Sequence, residues 1–273
     1  MWIAICIVLV VLTGLIIFLV MPGRGCEKTR QDFRHLNLAH RGLHTKDKKI
    51  PENSLAAFGR AADAGYGIEL DLQLSKDGQI VVFHDDTLKR VCGIDGRVDD
   101  FTYDQLCAFR LCGTKERIPL FSEVLKLVDG RVPLLVEFKN GPRNDMLCEK
   151  TLPMLREYKG IFCIESFSPF IVRWFRKNAP DIMRGQLAST FKEMKSDVPG
   201  WQAFLLSNCF LNCIARPHFI AYYKEKHSPI VKLAEAFGAT KAVWTVRPDC
   251  DIERLKQTND IIIFELCEPE IRY

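Results

Sequence analysis

Short, almost wholly apolar runs alternate along this chain with longer stretches in which apolar side chains recur every third or fourth position. The first pattern is that of buried strands and the second that of one-sided helices. Strand-like runs occupy 36–39, 68–74, 132–138, 161–167, 183–187, 219–222, 242–246 and 261–265. Two intervening helices have explicit ends. Ser54 precedes Leu55, Phe58 and Ala62 on one face with Gly65 beyond them, and Pro169 opens a stretch that stops before Pro180. Eight strands alternating with helices predict a parallel sheet closed on itself, an α/β protein of the (β/α)8 TIM-barrel type, for which about 250 residues is a usual size. Residues 86–117 follow neither pattern and are expected to form a small insertion after the second strand.

The first 21 residues obey a different rule, because none is charged and only Thr13 and Gly14 interrupt the apolar run. At about 1.5 Å per residue, about 20 helical residues cross a hydrocarbon core of about 30 Å. A cleaved signal peptide would want a basic start, a shorter apolar stretch and a small-x-small cleavage site. None of these is clear, and Gly25-Cys26 lacks the leucine that lipoprotein processing would use. The expected division is a transmembrane anchor at 1–22, a basic juxtamembrane linker at 23–35 and a barrel domain at 36–273. No Lys or Arg precedes the span, whereas Arg24, Lys28, Arg30 and Arg34 follow it, so the positive-inside rule predicts a cytoplasmic barrel. An odd number of cysteines, 11, without a C-x-x-C pair agrees with a reducing compartment.

Composition narrows the function classes. With 48% hydrophobic residues and 38 Lys+Arg against 34 Asp+Glu, the chain is neither disordered nor collagen-like. Its +4 charge is spread among interleaved acids, which gives no footprint for nucleic acid.

The candidate chemistry lies on the strands. In 68–74, Glu69, Asp71 and Gln73 alternate with Ile68, Leu70, Leu72 and Leu74. If helices cover the aliphatic face, Glu69 and Asp71 point to the barrel axis, about 7 Å apart along the strand. Carboxylates so placed repel unless a cation lies between them. The third strand repeats the device with Glu137 and Lys139 on one face. Three carboxylates make an oxygen-rich site suited to one divalent cation, Mg²⁺ or Ca²⁺. His40 closes the first strand, and His84-Asp85 follows a hairpin arm that turns at Lys76-Asp77-Gly78. Such a pair of histidines can accept and donate the protons of a phosphoryl displacement.

These residues resemble the glycerophosphodiester phosphodiesterase family. The matching segments are His40-Arg41-Gly42, Pro51-Glu52-Asn53-Ser54 leading to Ala57-Phe58, Glu69-x-Asp71, His84-Asp85 with Arg90, Glu137-Phe138-Lys139, Ser166-Phe167 and Trp244-Thr245-Val246. The resemblance implies metal ligation by Glu69, Asp71 and Glu137, general base and acid roles for His40 and His84, and phosphate binding by Arg41 and Lys139. It places Glu52 behind the ligands and Trp244 on the glycerol side of the pocket, or in the barrel core. The implied reaction is metal-dependent hydrolysis of a glycerophosphodiester to glycerol 3-phosphate and an alcohol.

Two departures stand out. The last strand ends Phe264-Glu265 where the family commonly has Thr-Asp, and Arg247 follows Trp244-Thr245-Val246 where Asn is common. Trp201, Phe204, Leu205, Leu206, Phe210, Leu211 and Ile214 could form either a lipid-facing loop or a buried barrel helix. The resemblance, together with the apolar N-terminal segment, leaves lysophospholipase D or sphingomyelinase-D-like hydrolysis of lipids on a similar metal and histidine pair as an alternative, and a catalytically inactive membrane-tethered binding module is an alternative of another class. His35, His44, His218 and His227 are expected to be structural or solvent-exposed.

Overall fold

In a computed structural model that describes residues 1–223 and 227–273, parallel strands close into a barrel. The strands are β1 (Leu36–Ala39), β2 (Gly67–Leu74), β3 (Ile80–Val82), β4 (Leu134–Phe138), β5 (Phe162–Ser166), β6 (Arg184–Ala188), β7 (Phe219–Tyr223), β8 (Thr240–Val246) and β9 (Ile261–Phe264). Their order is β1-β9-β8-β7-β6-β5-β4-β2, and β1 pairs with β2 to close the ring. β3 is the expected hairpin arm, antiparallel on β2. The eight runs read as strands coincide with the barrel strands to within two residues at either end.

Strand alternation builds two cores at once. Outward residues Leu70, Leu72, Val136, Phe138 and Ile164 pack under the helices with Phe58, Phe121 and Phe175. Inward residues Leu36, Leu38, Leu135, Cys163, Phe219, Ala242, Ile261 and Ile263 fill the lower barrel. Filling is tight enough to dictate a glycine: a Cβ on Gly185 would lie 2.1 Å from the Phe219 ring. Both signalled helices form, Leu55–Asp63 with the Ser54 hydroxyl accepting from Ala57 N, and Pro169–Asn178 with proline in its first turn. The segment 86–117 holds only short helical turns around a cluster of its own, including Leu88, Val91, Val98, Leu106 and Leu111.

The segment read as a linker has more structure than its composition suggested. It contains the helix Glu27–Phe33, whose last residue, fully buried, joins the barrel-interior core with Leu36 and Leu38. This segment runs beneath the strand starts. Cys26 Sγ donates to Asp181 O (3.3 Å), Arg30 Nε donates to Thr240 Oγ1 (3.0 Å), and His35 N donates to Asp260 O (2.6 Å). Residues 23–35 thus floor the barrel. Ahead of them stands the helix Trp2–Val20, with a mean hydropathy of 3.4 and long enough to cross a membrane; only Val20 of it is buried.

Removing the floor's anchor should be costly: Phe33→Ala is expected to lower stability by about 3–5 kcal/mol, measured by thermal unfolding of the full chain in detergent. A loss below about 1 kcal/mol would mean that Phe33 does not close the core.

Candidate active site

The inward faces of β2 and β4 change from apolar to acidic toward their C-terminal ends, which is the functional end of such barrels. In register, Asp71 faces Glu137 and Glu69 faces Leu135. One ligand atom from each of Glu69, Asp71 and Glu137 lies within 4.8 Å of the others, and all three residues are buried. Burial and the neighbouring Asp71 and Glu137 carboxylates push the Glu69 carboxyl well above its ordinary value. Burial also pushes Glu137 up, against the pull of Lys139. Asp71 goes the other way, because the neighbouring His84, Lys139 and Arg41 side chains outweigh its burial. Its Oδ2 accepts from Asn53 Nδ2 (2.7 Å), while its buried Oδ1 lacks a hydrogen-bond donor. A convergent set of buried oxygens, one without a donor and another forced toward protonation, fits a hard divalent cation.

The first histidine arrives on a constrained turn. Arg41 has φ +57° and Gly42 φ +79°, and a Cβ on Gly42 would lie 2.9 Å from Ala57. That turn aims the Arg41 N–H at Glu69 Oε2 (2.8 Å) and its guanidinium at Glu52 Oε1 (2.7 Å). His40 Nε2 lies 4.0 Å from Glu69 Oε2 and its Nδ1 lies 3.4 Å from Glu265 Oε2. Burial and the adjacent Arg41 charge lower its pKa to about 4. The second histidine is held by its neighbour, since His84 Nδ1 lies 2.7 Å from Asp85 Oδ1. A carboxylate only accepts, so the proton is on Nδ1 and Nε2 is left for chemistry.

One arginine ties the two histidine loops together. Arg90 binds Asp85 through Nε (2.6 Å) and Nη2 (2.8 Å), and Glu52 through Nη1 (2.7 Å) and Nη2 (2.6 Å). The charges run His84–Asp85–Arg90–Glu52–Arg41. Burial opposes the Glu52 charge, but its bonds to Arg90 and Arg41 lower its pKa to about 2. Lys139 Nζ lies 2.9 Å from Glu137 Oε1 and 3.6 Å from Asp71 Oδ1. Across the mouth, Trp244 meets Phe167 edge-on at 5.6 Å, and its indole N–H donates to Ala221 O (3.0 Å). Trp244 is thus half-buried against the barrel-interior core.

The structure brings together Glu69, Asp71, Glu137, His40, Arg41, Glu52, His84 and Lys139, while Trp244 packs on Phe167 and Tyr223, and two further acids stand beside the cluster. Glu165 on β5 stands in register with Glu137, is 1% exposed, and has its Oε2 unpaired. Its burial and the Glu137 charge raise its pKa far above the ordinary carboxyl value. Glu165 is a single acid in an otherwise apolar run, too little on its own to mark the inward face. Glu265 is the second: it faces His40, His44 Nε2 (3.6 Å) and Arg247 Nη2 (3.1 Å). The two family departures, Glu265 and Arg247, thus pair with each other behind His40. Of the remaining histidines, His35 stacks edge-on against Tyr273, His218 accepts from Arg184 N (3.2 Å) at the strand starts, and His227 lies 2.5 Å from Glu235 Oε1.

A closed parallel barrel with a carboxylate cluster and two histidines at its strand-end mouth defines an α/β barrel whose mouth could hold a metal ion. The model of the glycerophosphoryl diester phosphodiesterase family matches residues 40–264, and the chain belongs to that family. It is 39% identical over 163 residues to a glycerophosphodiester phosphodiesterase of Caldanaerobacter subterraneus subsp. tengcongensis, covering 56% of this chain and 66% of that one. It is 32% identical over 151 residues to the lysophospholipase D GDPD1 of Rattus norvegicus, covering 50% of this chain and 46% of that protein. The matches thus span less than two thirds of these relatives' length. Among solved structures, an Oleispira antarctica phosphodiesterase in complex with the product sn-glycerol-3-phosphate superposes with TM-score 0.70 at 22% identity, covering 86% of this chain and 94% of that one.

Two outcomes follow from the geometry. Millimolar Mg²⁺ or Ca²⁺ should raise the unfolding temperature, and chelator should reverse it; at about 100 times Kd the stabilisation is about 2.7 kcal/mol. No shift with either ion would contradict a cation at this cluster. Arg90→Ala should lower turnover by about 10–100-fold, because Asp85 and Glu52 lose the group that aligns them; unchanged turnover would show that the charge chain is idle.

Proposed function

We propose that the chain hydrolyses glycerophosphodiesters to glycerol 3-phosphate and an alcohol, with one Mg²⁺ or Ca²⁺ held by Glu69, Asp71 and Glu137. The observation that carries this reading is the convergence of His40, His84 and that carboxylate cluster on one buried mouth. The bound ion would lower the pKa of a substrate hydroxyl and offset charge on the transferring phosphoryl group. His40, neutral at pH 7 because its pKa is lowered to about 4, suits the base that takes the proton of the glycerol 2-hydroxyl as that oxygen attacks phosphorus. His84, oriented by Asp85 through Nδ1, suits the acid that protonates the departing alcohol. With the roles exchanged, the same pair opens the cyclic phosphate with water. Arg41 and Lys139 would neutralise the phosphate oxygens, and Trp244 would wall the glycerol.

Water-soluble diesters are the favoured substrate class, because the apolar helix leaves the barrel at the strand starts, opposite the mouth. The stretch 201–214 is divided between the two expected readings. Ala203 and Asn212 are fully buried, whereas Trp201 is 66% and Phe204 53% exposed. Those exposed rings keep lysophospholipids as a second reading, and the rat relative's name agrees with it. The helix Trp2–Val20 would anchor the enzyme, with the barrel cytoplasmic as the flanking charges predict.

Release of glycerol 3-phosphate from glycerophosphocholine by the full chain tests the assignment. His84→Ala should cut the rate by about 10²–10⁴-fold while leaving the ion-induced rise in unfolding temperature intact. Glu69→Ala should lose both. Full activity in either variant removes that residue from the mechanism, and a stable cyclic phosphate as the end product would assign the sphingomyelinase-D-like reaction instead.

A further inference from the structure

At the strand-start end, far from the mouth, a cavity of about 310 Å³ lies between the helix Pro169–Asn178 and the turn Asn212–Ala215, lined by Arg173, Arg176, Lys177, Cys213 and Ile214. Arg176 is fixed in it, donating through Nη1 to Cys213 O (3.1 Å) and Ile214 O (2.9 Å). Among the described residues, none of the three cations has a carboxylate partner, although nearby Arg156 pairs with Asp181. Closing the helix C-terminus accounts for only part of this charge, since the helix end carries about half a negative charge. Three cations exceed it.

The far wall of the cavity is also where the apolar N-terminal helix ends. Asn212 Nδ2 donates to Val20 O (3.3 Å), and Arg216 Nη1 donates to Phe18 O (3.0 Å) and Met21 O (2.8 Å). The Arg216 guanidinium lies 4.9 Å over the Phe18 ring. Uncompensated cations in a cavity, with Ile214 on one side and the end of an uncharged helix next to it, match an anionic head group whose acyl chains continue beside that helix. We infer that this cavity binds the phosphate of an acidic phospholipid, seating the barrel floor on the membrane with the catalytic mouth turned away. The inference rests on Trp2–Val20 being a membrane anchor.

The protein is reconstituted in vesicles of equal parts phosphatidylglycerol and phosphatidylcholine, re-extracted in mild detergent, and its retained lipid quantified by mass spectrometry. The wild type is expected to retain phosphatidylglycerol above its bulk proportion. Arg173→Gln combined with Lys177→Gln, at two exposed positions, should reduce that enrichment roughly tenfold or more, at roughly fivefold per cation. Turnover of glycerophosphocholine in water should be unchanged, which verifies folding. Equal retention by wild type and variant overturns the site, and so does displacement of the lipid by equimolar inorganic phosphate, which would mark a free-anion site. Alkaline carbonate separates the two readings: release of both proteins from the vesicles overturns the anchor and the inference with it, whereas retention of both with no lipid preference overturns the inference alone.

Discussion

Acidic oxygens buried side by side repel one another, and that repulsion organises the mouth of this barrel. Glu69, Asp71 and Glu137 lie within 4.8 Å at their closest atoms, with Glu165 beside them. Left alone, such a cluster resolves itself by taking up protons, which is the direction in which Glu69 and Glu165 are pushed. The fixed cations around it act against that. Arg41 and Lys139 both approach Asp71, and Asp71 is the member held in its charged form. Two monovalent cations among four carboxylates leave an excess of negative charge, and a dication is the simplest group that removes it without protonating a ligand.

The same charges position the groups that would move protons. Glu52 is anchored by Arg41 on the β1 side and by Arg90 on the insertion side, so the turn after β1 and the arm carrying His84 cannot shift independently. Asp85 completes the chain by holding His84 Nδ1. On the other flank, Glu265 accepts from His40, and Arg247 accompanies Glu265. Each histidine thus has a carboxylate behind it and each of those carboxylates an arginine behind it, an arrangement that fixes ring orientation by geometry rather than by packing alone.

Much of this was legible in the strands, because a two-residue period with aliphatic residues on one side and acids on the other has few readings inside a barrel. Ile68 to Leu74 determined which way Glu69 and Asp71 face, and Glu137 followed on the same logic. Glu165 escaped notice because a single acid in the run Phe162-Cys163-Ile164-Glu165-Ser166 does not establish a period; its importance comes from the register that sets it beside Glu137. Glu265 was visible only as a departure from the family pattern, since its partners lie on the chain segments around His40 and Arg247, which the closure of the barrel brings together. The helix Glu27–Phe33 was hidden for a third reason: seven residues with one large apolar side chain have no amphipathic stripe, and the helix is stabilised by insertion of Phe33 into a core the sequence alone does not locate.

The two ends of the barrel therefore carry opposite solutions to the same electrostatic problem. At the strand ends, excess negative charge is gathered in a buried mouth where a cation and a phosphate diester can meet. At the strand starts, Phe33 and its helix seal the interior, while Arg173, Arg176 and Lys177 leave positive charge uncompensated beside the end of an apolar helix. On the proposed reading, a dication that cancelled the acids of the mouth would let Arg41 and Lys139 draw a diester from water, so ion binding would precede substrate binding. The acids of the floor, Glu27, Asp181 and Asp260, pair with Arg30, Arg156 and Arg34 and not with the cavity's cations. The proposed lipid contact would therefore draw on charge separate from that of the mouth, and attachment at one end would be independent of turnover at the other.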